Sequence, residues 1–307
     1  MIPPEVARVL RKQKYRIVGN HSGVKICLWT KKSLTEGKVC YKQKWYGIES
    51  HRCMEFSPSL IWCTHHCLFC WRIQSGDRGL VWKEFPFDSE IDDPKEIIDE
   101  AIKARKELLS GFGGYVDRKK WEEALIPTNV AISLAGEPTL YPRLSELIEE
   151  CHRRGMKTFL VTNGTMPEVL ESLDPLPWQL YITLPAPSKE IYLKTCRPLL
   201  KDGWERIMRS LEIMKELKTR RVIRLTLVKG LNFLKPEEYA KLILKAEPDF
   251  VEPKSYMCVG ESQKRLTHAN MVPMEELEKF SEKLAEETGY KIEDRDEASR
   301  VFLLCKR

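Results

Sequence analysis

The sequence predicts an α/β fold: an open, partial barrel of about six βα units, with an N-terminal, cysteine-containing extension covering its mouth. Three observations carry that expectation. From about residue 57 onward, short β-rich runs alternate with helical stretches, the pattern of a parallel sheet with right-handed crossovers. There are six such runs, too few to close an eight-stranded barrel. Six of the ten cysteines fall between Cys27 and Cys70, around the start of the first run.

Each element follows from its local pattern. Strands are expected at 59–62, 130–134, 158–162, 180–184, 222–228 and 250–254, runs dense in apolar and β-branched residues between turn signals. Helices are expected at 94–109, 144–154, 189–195, 204–217, 236–245 and 273–287, three of them opened by proline in the first turn. A closing strand is expected near 301–304, and 84–94 and 117–127 read as loops. Residues 1–56 are expected to form the extension and 57–307 the barrel with its C-terminal helix and strand. Ligands of such folds collect at the carboxyl ends of the strands.

Composition narrows the class. With 307 residues, 42% hydrophobic and 31% charged, the chain can bury a core, which excludes intrinsic disorder. No apolar run approaches the ~18 residues of a membrane span. The N-terminus turns basic before an apolar signal core can form, so a cytoplasmic protein is expected. Ten cysteines are too sparse for a disulfide scaffold, and in a reducing compartment their clustering points to metal or redox chemistry.

The net charge of +6 is uneven: residues 1–52 carry +9 and the rest −3. Tyr15, Trp29, Tyr41, Trp45 and Tyr46 interleave with that basic surplus, a composition suited to a phosphate backbone and unstacked bases. A solvated lysine-rich surface has the same composition, so charge alone makes nucleic acid only one of two readings.

The sharpest motif is Cys63-Thr-His-His-Cys67-Leu-Phe-Cys70-Trp71, three thiolates on one short loop. Structural zinc needs four ligands, which His65, His66 or a distant cysteine would have to complete. Three closely spaced cysteines alone leave one iron of a 4Fe–4S cluster open to a substrate's amino and carboxylate groups. Further along, Ala135-Gly136-Glu137-Pro138 ends the second run, Thr162-Asn163-Gly164 the third, and Thr183 lies at the end of the fourth. Each of these is also ordinary turn chemistry, and their order along successive strand ends is the stronger signal.

This cysteine spacing after a first strand, with the strand-end series, resembles the radical S-adenosylmethionine (SAM) superfamily. The stretch Cys40-Tyr-Lys42-Gln-Lys44-Trp45-Tyr46-Gly47-Ile-Glu49-Ser50-His51-Arg52-Cys53, running into the Cys63 loop, is similar to one of its families, tRNA 4-demethylwyosine synthase. So are Arg197-Pro198-Leu-Leu-Lys201-Asp202, Arg224-Leu-Thr-Leu-Val-Lys229-Gly-Leu-Asn232 and Cys258-Val-Gly260-Glu261-Ser262. No flavodoxin-like domain of the kind eukaryotic members carry is seen, so the resemblance is to the archaeal type, which takes electrons from an external donor.

The resemblance implies two 4Fe–4S clusters and SAM as cofactors. Cys63, Cys67 and Cys70 would hold the SAM cluster, and Cys27, Cys40 and Cys53 the second. Gly136, Glu137, Pro138, Thr162, Asn163 and Thr183 would contact SAM. The implied reaction is that of a carbon–carbon lyase. It condenses N1-methylguanosine, beside the anticodon of tRNA(Phe), with two carbons of pyruvate to form 4-demethylwyosine. Two roles stay open for Lys42: Schiff base to the pyruvate carbonyl, or a phosphate-binding or purely electrostatic cation, with pyruvate on the open iron of the second cluster. Arg8, Arg11, Lys12, Lys14, Arg16, Lys31 and Lys32 are the candidates for tRNA phosphates. A monomer is expected. Other readings are another radical SAM RNA-modifying enzyme or a zinc-binding RNA adaptor.

Overall fold

In a computed structural model the described residues are 1–84 and 91–306. They form two compact units. The expected loop at 84–94 therefore lies partly outside the described residues.

The first unit comprises Met1–Cys63, Arg78–Val161 and Leu173–Trp178. The extension is more structured than its sequence suggests. Helix α1 (Pro4–Lys12) buries Val6, Ala7 and Leu10, and leads into the hairpin β1 (Arg16–Val18) and β2 (Ser22–Lys25). Two short helices follow, α2 (Leu28–Thr35) and α3 (Tyr41–Tyr46). Strand β3 (Cys53–Ser57) pairs antiparallel with β2 and parallel with β4 (Asn129–Ile132), which in turn pairs parallel with β5 (Lys157–Thr162). Helices α4 (Pro94–Ser110), α5 (Arg118–Ala124) and α6 (Leu144–Arg153) complete the unit. Ile97 and Ile98 of α4 and Leu147 and Ile148 of α6 are fully buried, as are Met54, Phe56, Val130 and Ile132 of the strands.

Two expectations are corrected here. The first strand is Cys53–Ser57, not 59–62. Pro58 cannot extend the ladder, and the next residues turn, with Trp62 N–H donating to the Ser59 carbonyl at 3.2 Å. The segment 117–127 is not a loop: Asp117 caps α5 by accepting from the Lys120 amide at 2.8 Å.

The second unit comprises Thr64–Asp77, Thr162–Ser172 and Gln179–Arg307. After α7 (Pro167–Glu171), the strands β6 (Gln179–Thr183), β7 (Arg220–Leu227) and β8 (Phe250–Ser255) run parallel. Helices α8 (Lys189–Cys196), α9 (Gly203–Glu216) and α10 (Pro236–Ala246) connect them. Helix α11 (Met274–Thr288) precedes the antiparallel pair β9 (Lys291–Asp296) and β10 (Val301–Cys305), and β10 pairs antiparallel with β8. Each unit thus carries three parallel strands, six in all, as the fold class requires. Among the described residues, no helix is long and apolar enough to cross a membrane.

Candidate functional site

In the first unit the three N-terminal cysteines gather at one place. Cys27 is the N-cap of α2, its sulfur accepting from the Thr30 amide at 3.4 Å. Cys40 is the N-cap of α3, and its amide donates to Ser50 Oγ at 2.9 Å. Ser50 also accepts, through its carbonyl, from Thr30 Oγ1 at 3.0 Å, and its amide donates to Gln43 at 2.8 Å. A short turn, Ser50–Arg52, then delivers Cys53 at the start of β3. The thiols feel one another's charge. Burial raises the Cys27 pKa, with Glu55, Cys53 and Cys40 adding to it, and burial pushes Cys53 up to about 11 against the pull of Lys42.

Strand register explains the rest of this site. Glu55 lies beside Ala131, and Ala131 beside Phe159, so the face of β3 that carries Cys53 and Glu55 continues across β4 to Phe159 of β5. Lys42 extends from α3 with its ammonium 4.8 Å from the Phe159 ring centroid. Cys27, Cys40, Cys53, Glu55 and Lys42 therefore converge on one face of three parallel strands.

Beneath them lies a residue that the sequence reading missed. Arg105 of α4 is 1% exposed. Its guanidinium donates to the carbonyls of His51 at 2.8 Å, Cys53 at 3.3 Å and Ala124. The signal was available: Arg105 sits in the buried stripe Ile97, Ile98, Ala101, Leu109 of an amphipathic helix.

The Gly-Glu-Pro element closes the β4 end of the same unit. Gly136 has φ +67°, and a Cβ there would stand 1.8 Å from the Ser59 carbonyl oxygen and 2.5 Å from that of Trp62. Only glycine fits. The Glu137 amide donates to the Trp62 carbonyl at 2.7 Å, and Ser59 Oγ donates to the Glu137 carbonyl at 2.7 Å. Glu137 is buried, its carboxylate accepting from Thr139 Oγ1 at 2.7 Å, and Pro138 opens the turn that follows. This turn is thereby clamped to the segment that ends in Cys63, whose amide donates to Glu84 at 3.2 Å.

In the second unit, Cys67 and Cys70 lie on a loop held by Arg265. Its guanidinium makes two 2.9 Å bonds to Asp77 and donates to the carbonyls of Leu68 at 3.3 Å and Cys70 at 2.5 Å. Gly260, at φ +60°, abuts the Trp71 carbonyl, where a Cβ would stand at 2.3 Å. Burial, joined by the charge of His66, brings the His65 pKa to about 3, so the ring is neutral, and its Nε2 lies 2.7 Å from the Tyr192 hydroxyl.

The remaining predicted contacts are mostly turn-makers in this unit. Thr162 Oγ1 accepts from the Gly164 amide at 3.1 Å. Asn163 donates to Thr64 Oγ1 at 2.8 Å and accepts from Thr165 Oγ1 at 2.7 Å. Thr183 ends β6 and is half-buried. Back in the first unit, Arg8, Arg11, Lys12, Lys14, Arg16 and Lys31 are exposed, while Lys32 lies over the Trp29 ring at 5.4 Å.

The donor chemistry fits iron–sulfur clusters. Among the described residues, two groups of His, Cys, Asp or Glu have all their ligand atoms within 4.8 Å of one another: His65, Cys67 and Cys196, and Glu49, His51 and Glu123. Cys27, Cys40 and Cys53 are not such a group. They are an all-thiol set, the donor type that iron–sulfur clusters take.

Comparison with known proteins agrees with this chemistry. Residues 58–243 match the family model of the radical SAM superfamily, and 245–306 match the model for wyosine base formation. Fold and cysteines together define a radical SAM enzyme.

A tRNA 4-demethylwyosine synthase of Pyrococcus horikoshii is 55% identical, covering 99% of this chain and 90% of that one. Its counterpart in Methanocaldococcus jannaschii is 44% identical over 99% of this chain and 96% of its own. A solved structure of TYW1 with a lysine–pyruvate adduct bound superposes with a TM-score of 0.88 at 41% identity, covering 99% of this chain and 96% of that one. The crystal structure of an archaeal TYW1 superposes at 0.80 and 38% identity, with the same shares covered. The chain belongs to the tRNA 4-demethylwyosine synthase family.

Proposed function

We propose that this chain condenses N1-methylguanosine of tRNA(Phe) with two carbons of pyruvate to form 4-demethylwyosine, using SAM and two 4Fe–4S clusters. The observation that carries the reading is the convergence of Cys27, Cys40, Cys53 and Lys42 on one strand face, in a chain of this family.

Cys27, Cys40 and Cys53 hold one cluster, and Cys63, Cys67 and Cys70 hold the cluster that binds SAM. When bound, cluster and SAM together supply one electron and a carbon radical that removes hydrogen from the N-methyl group. The protein's work is placement. The Gly136 turn, packed against the Ser59 and Trp62 carbonyls where no side chain fits, sets the chain path after β4, Glu137 and Pro138 fix that turn, and Thr162, Asn163 and Thr183 line the following strand ends. Arg105 and Ser50 hold the turns that present Cys40 and Cys53.

Lys42 attacks the pyruvate carbonyl as a neutral amine. Water leaves as the imine forms. The N-methyl carbon then bonds to the former carbonyl carbon as the bond from that carbon to the carboxylate breaks, releasing a one-carbon product. The exocyclic amine of the guanine displaces Lys42, so that the carbonyl carbon closes the ring and the pyruvate methyl stays on it as a substituent. Support for a lysine comes from the lysine–pyruvate adduct in the related TYW1 structure. The exposed Arg8, Arg11, Lys12, Lys14, Arg16 and Lys31, with Lys32, meet tRNA phosphates; an anticodon loop is already single-stranded, so moving its base into an enclosed site is cheap. The two-domain division at residue 56, a monomeric state, an external electron donor and a cytoplasmic location complete the proposal.

The test is direct. Reconstituted protein is incubated anaerobically with reductant, SAM, isotopically labelled pyruvate and tRNA carrying N1-methylguanosine, and the digested nucleosides are analysed by mass spectrometry. A 4-demethylwyosine nucleoside retaining two pyruvate carbons supports the proposal. SAM cleavage without a new nucleoside contradicts it and favours a different radical SAM substrate.

A further inference from the structure

Cys196 has no part in the mechanism above, yet the fold places it against a cluster cysteine. It ends α8, is fully buried, and is followed by Arg197 in the left-handed conformation, which turns the chain sharply. The turned segment then runs antiparallel to the Cys67 loop. The Leu199 amide donates to the Thr64 carbonyl at 2.9 Å, the His66 amide to the Arg197 carbonyl at 3.4 Å, and the Leu68 amide to the Thr195 carbonyl at 2.9 Å. His65 and Pro198 form a bridge in the same register. That register sets Cys67 opposite Cys196, and their sulfurs lie within 4.8 Å of each other.

We propose that Cys196 is a positioning residue for the SAM cluster: its S–H donates to the Cys67 sulfur when that sulfur is an iron ligand, and so raises the cluster's reduction potential. The inference rests on the assignment of Cys67 as a ligand. Reduction adds negative charge, part of it on the ligating sulfurs, so a donor aimed at one of them favours the reduced state. Burial keeps that donor from exchanging its bond for one with water. The Cys67 loop is fixed on its other side by Arg265, so the two sulfurs are held in place from both directions. A family that must reduce its cluster before cleaving SAM gains from a potential raised within reach of its donor.

The experiment uses full-length protein with both clusters reconstituted anaerobically. The potential of the SAM-responsive signal is followed by electron paramagnetic resonance in the wild type, C196A, C196V and C196S. Loss of the donor moves the potential to more negative values in C196A and C196V, whereas C196S, which keeps a hydroxyl donor, stays near or above the wild type. Valine keeps the side-chain volume, so it carries the test if the alanine variant loses its cluster. An unchanged potential in C196A and C196V, or an equal negative shift in C196S, overturns the inference. A C67A control separates the two assignments: if it retains a full SAM-responsive cluster, Cys67 is not a ligand and the inference falls with that reading. Stoichiometric zinc on His65, Cys67 and Cys196 in place of iron overturns it as well.

Discussion

The backbone amide of Cys40 donates to the hydroxyl of Ser50 at 2.9 Å, ten residues further along the chain. Ser50 is 1% exposed, and its carbonyl is the acceptor for Thr30 Oγ1, so one serine ties the turn of Cys27 to that of Cys40 immediately before Cys53. S50A leaves the half-buried Cys40 amide without its acceptor, at a cost of about 1 kcal/mol. The expected result is loss of iron from the N-terminal site with the SAM cluster retained, read as iron and sulfide per chain after anaerobic reconstitution. Full iron content in S50A would show that the serine is dispensable.

Arg105 supports the same site from below. R105M removes three donor bonds to buried carbonyls, and thermal unfolding should report a loss of about 2–5 kcal/mol. R105K should rescue little, because an ammonium lacks the planar fork that reaches carbonyls on two segments. A variant as stable as the wild type would mean that water replaces the guanidinium.

At Gly136 the obstacle is backbone, which cannot swing aside. G136A sets a methyl against the Ser59 carbonyl in a left-handed conformation, so its cost should exceed about 3 kcal/mol. Soluble protein should be scarce, and what is recovered should bind SAM at least tenfold more weakly by calorimetry. Wild-type SAM affinity in G136A would remove the Gly-Glu-Pro turn from the cofactor site.

For Lys42 the decisive variant keeps the charge. In wild-type protein, pyruvate followed by borohydride should leave a covalent adduct on the peptide containing Lys42. K42R should form no adduct, with tRNA affinity within about twofold of wild type since one cation replaces another. An adduct on a different lysine would reassign the nucleophile, and wild-type protein that forms no adduct would favour the phosphate or electrostatic role for Lys42.

Charge removal along the extension tests the tRNA face. Replacing Arg8, Arg11, Lys12 and Lys14 by alanine should weaken tRNA binding at low salt and flatten the dependence of log affinity on log salt by roughly one unit per lost phosphate contact. An unchanged slope would make this a solvated surface.

The residues that sequence made legible are those whose chemistry is local. The Cys63 loop declares itself by spacing, and most βα elements stand within two residues of where their periodicity puts them, because long apolar runs dominate there. The first strand was misplaced for a functional reason. Cys53 and Glu55 occupy one face of Cys53–Ser57 because that face is the site, so the strand lacks the run of apolar residues that 59–62 displays. The helices of the extension span six to nine residues, too few for periodicity to declare them. Ser50, Arg105 and Cys196 were missed because their meaning lies in partners that only the fold supplies: His51 lies 54 residues from Arg105, and Cys67 meets Cys196 only through the turn at Arg197.

The most direct test of the central claim, that this chain builds a second cluster beside Lys42, is iron and acid-labile sulfide per chain after anaerobic reconstitution, in the wild type and in the C27A/C40A/C53A variant. Two 4Fe–4S clusters are expected in the wild type and one in the variant, with SAM still perturbing the remaining signal. One cluster in both proteins would contradict it, leaving a single-cluster radical SAM enzyme whose N-terminal cysteines are only part of the packing.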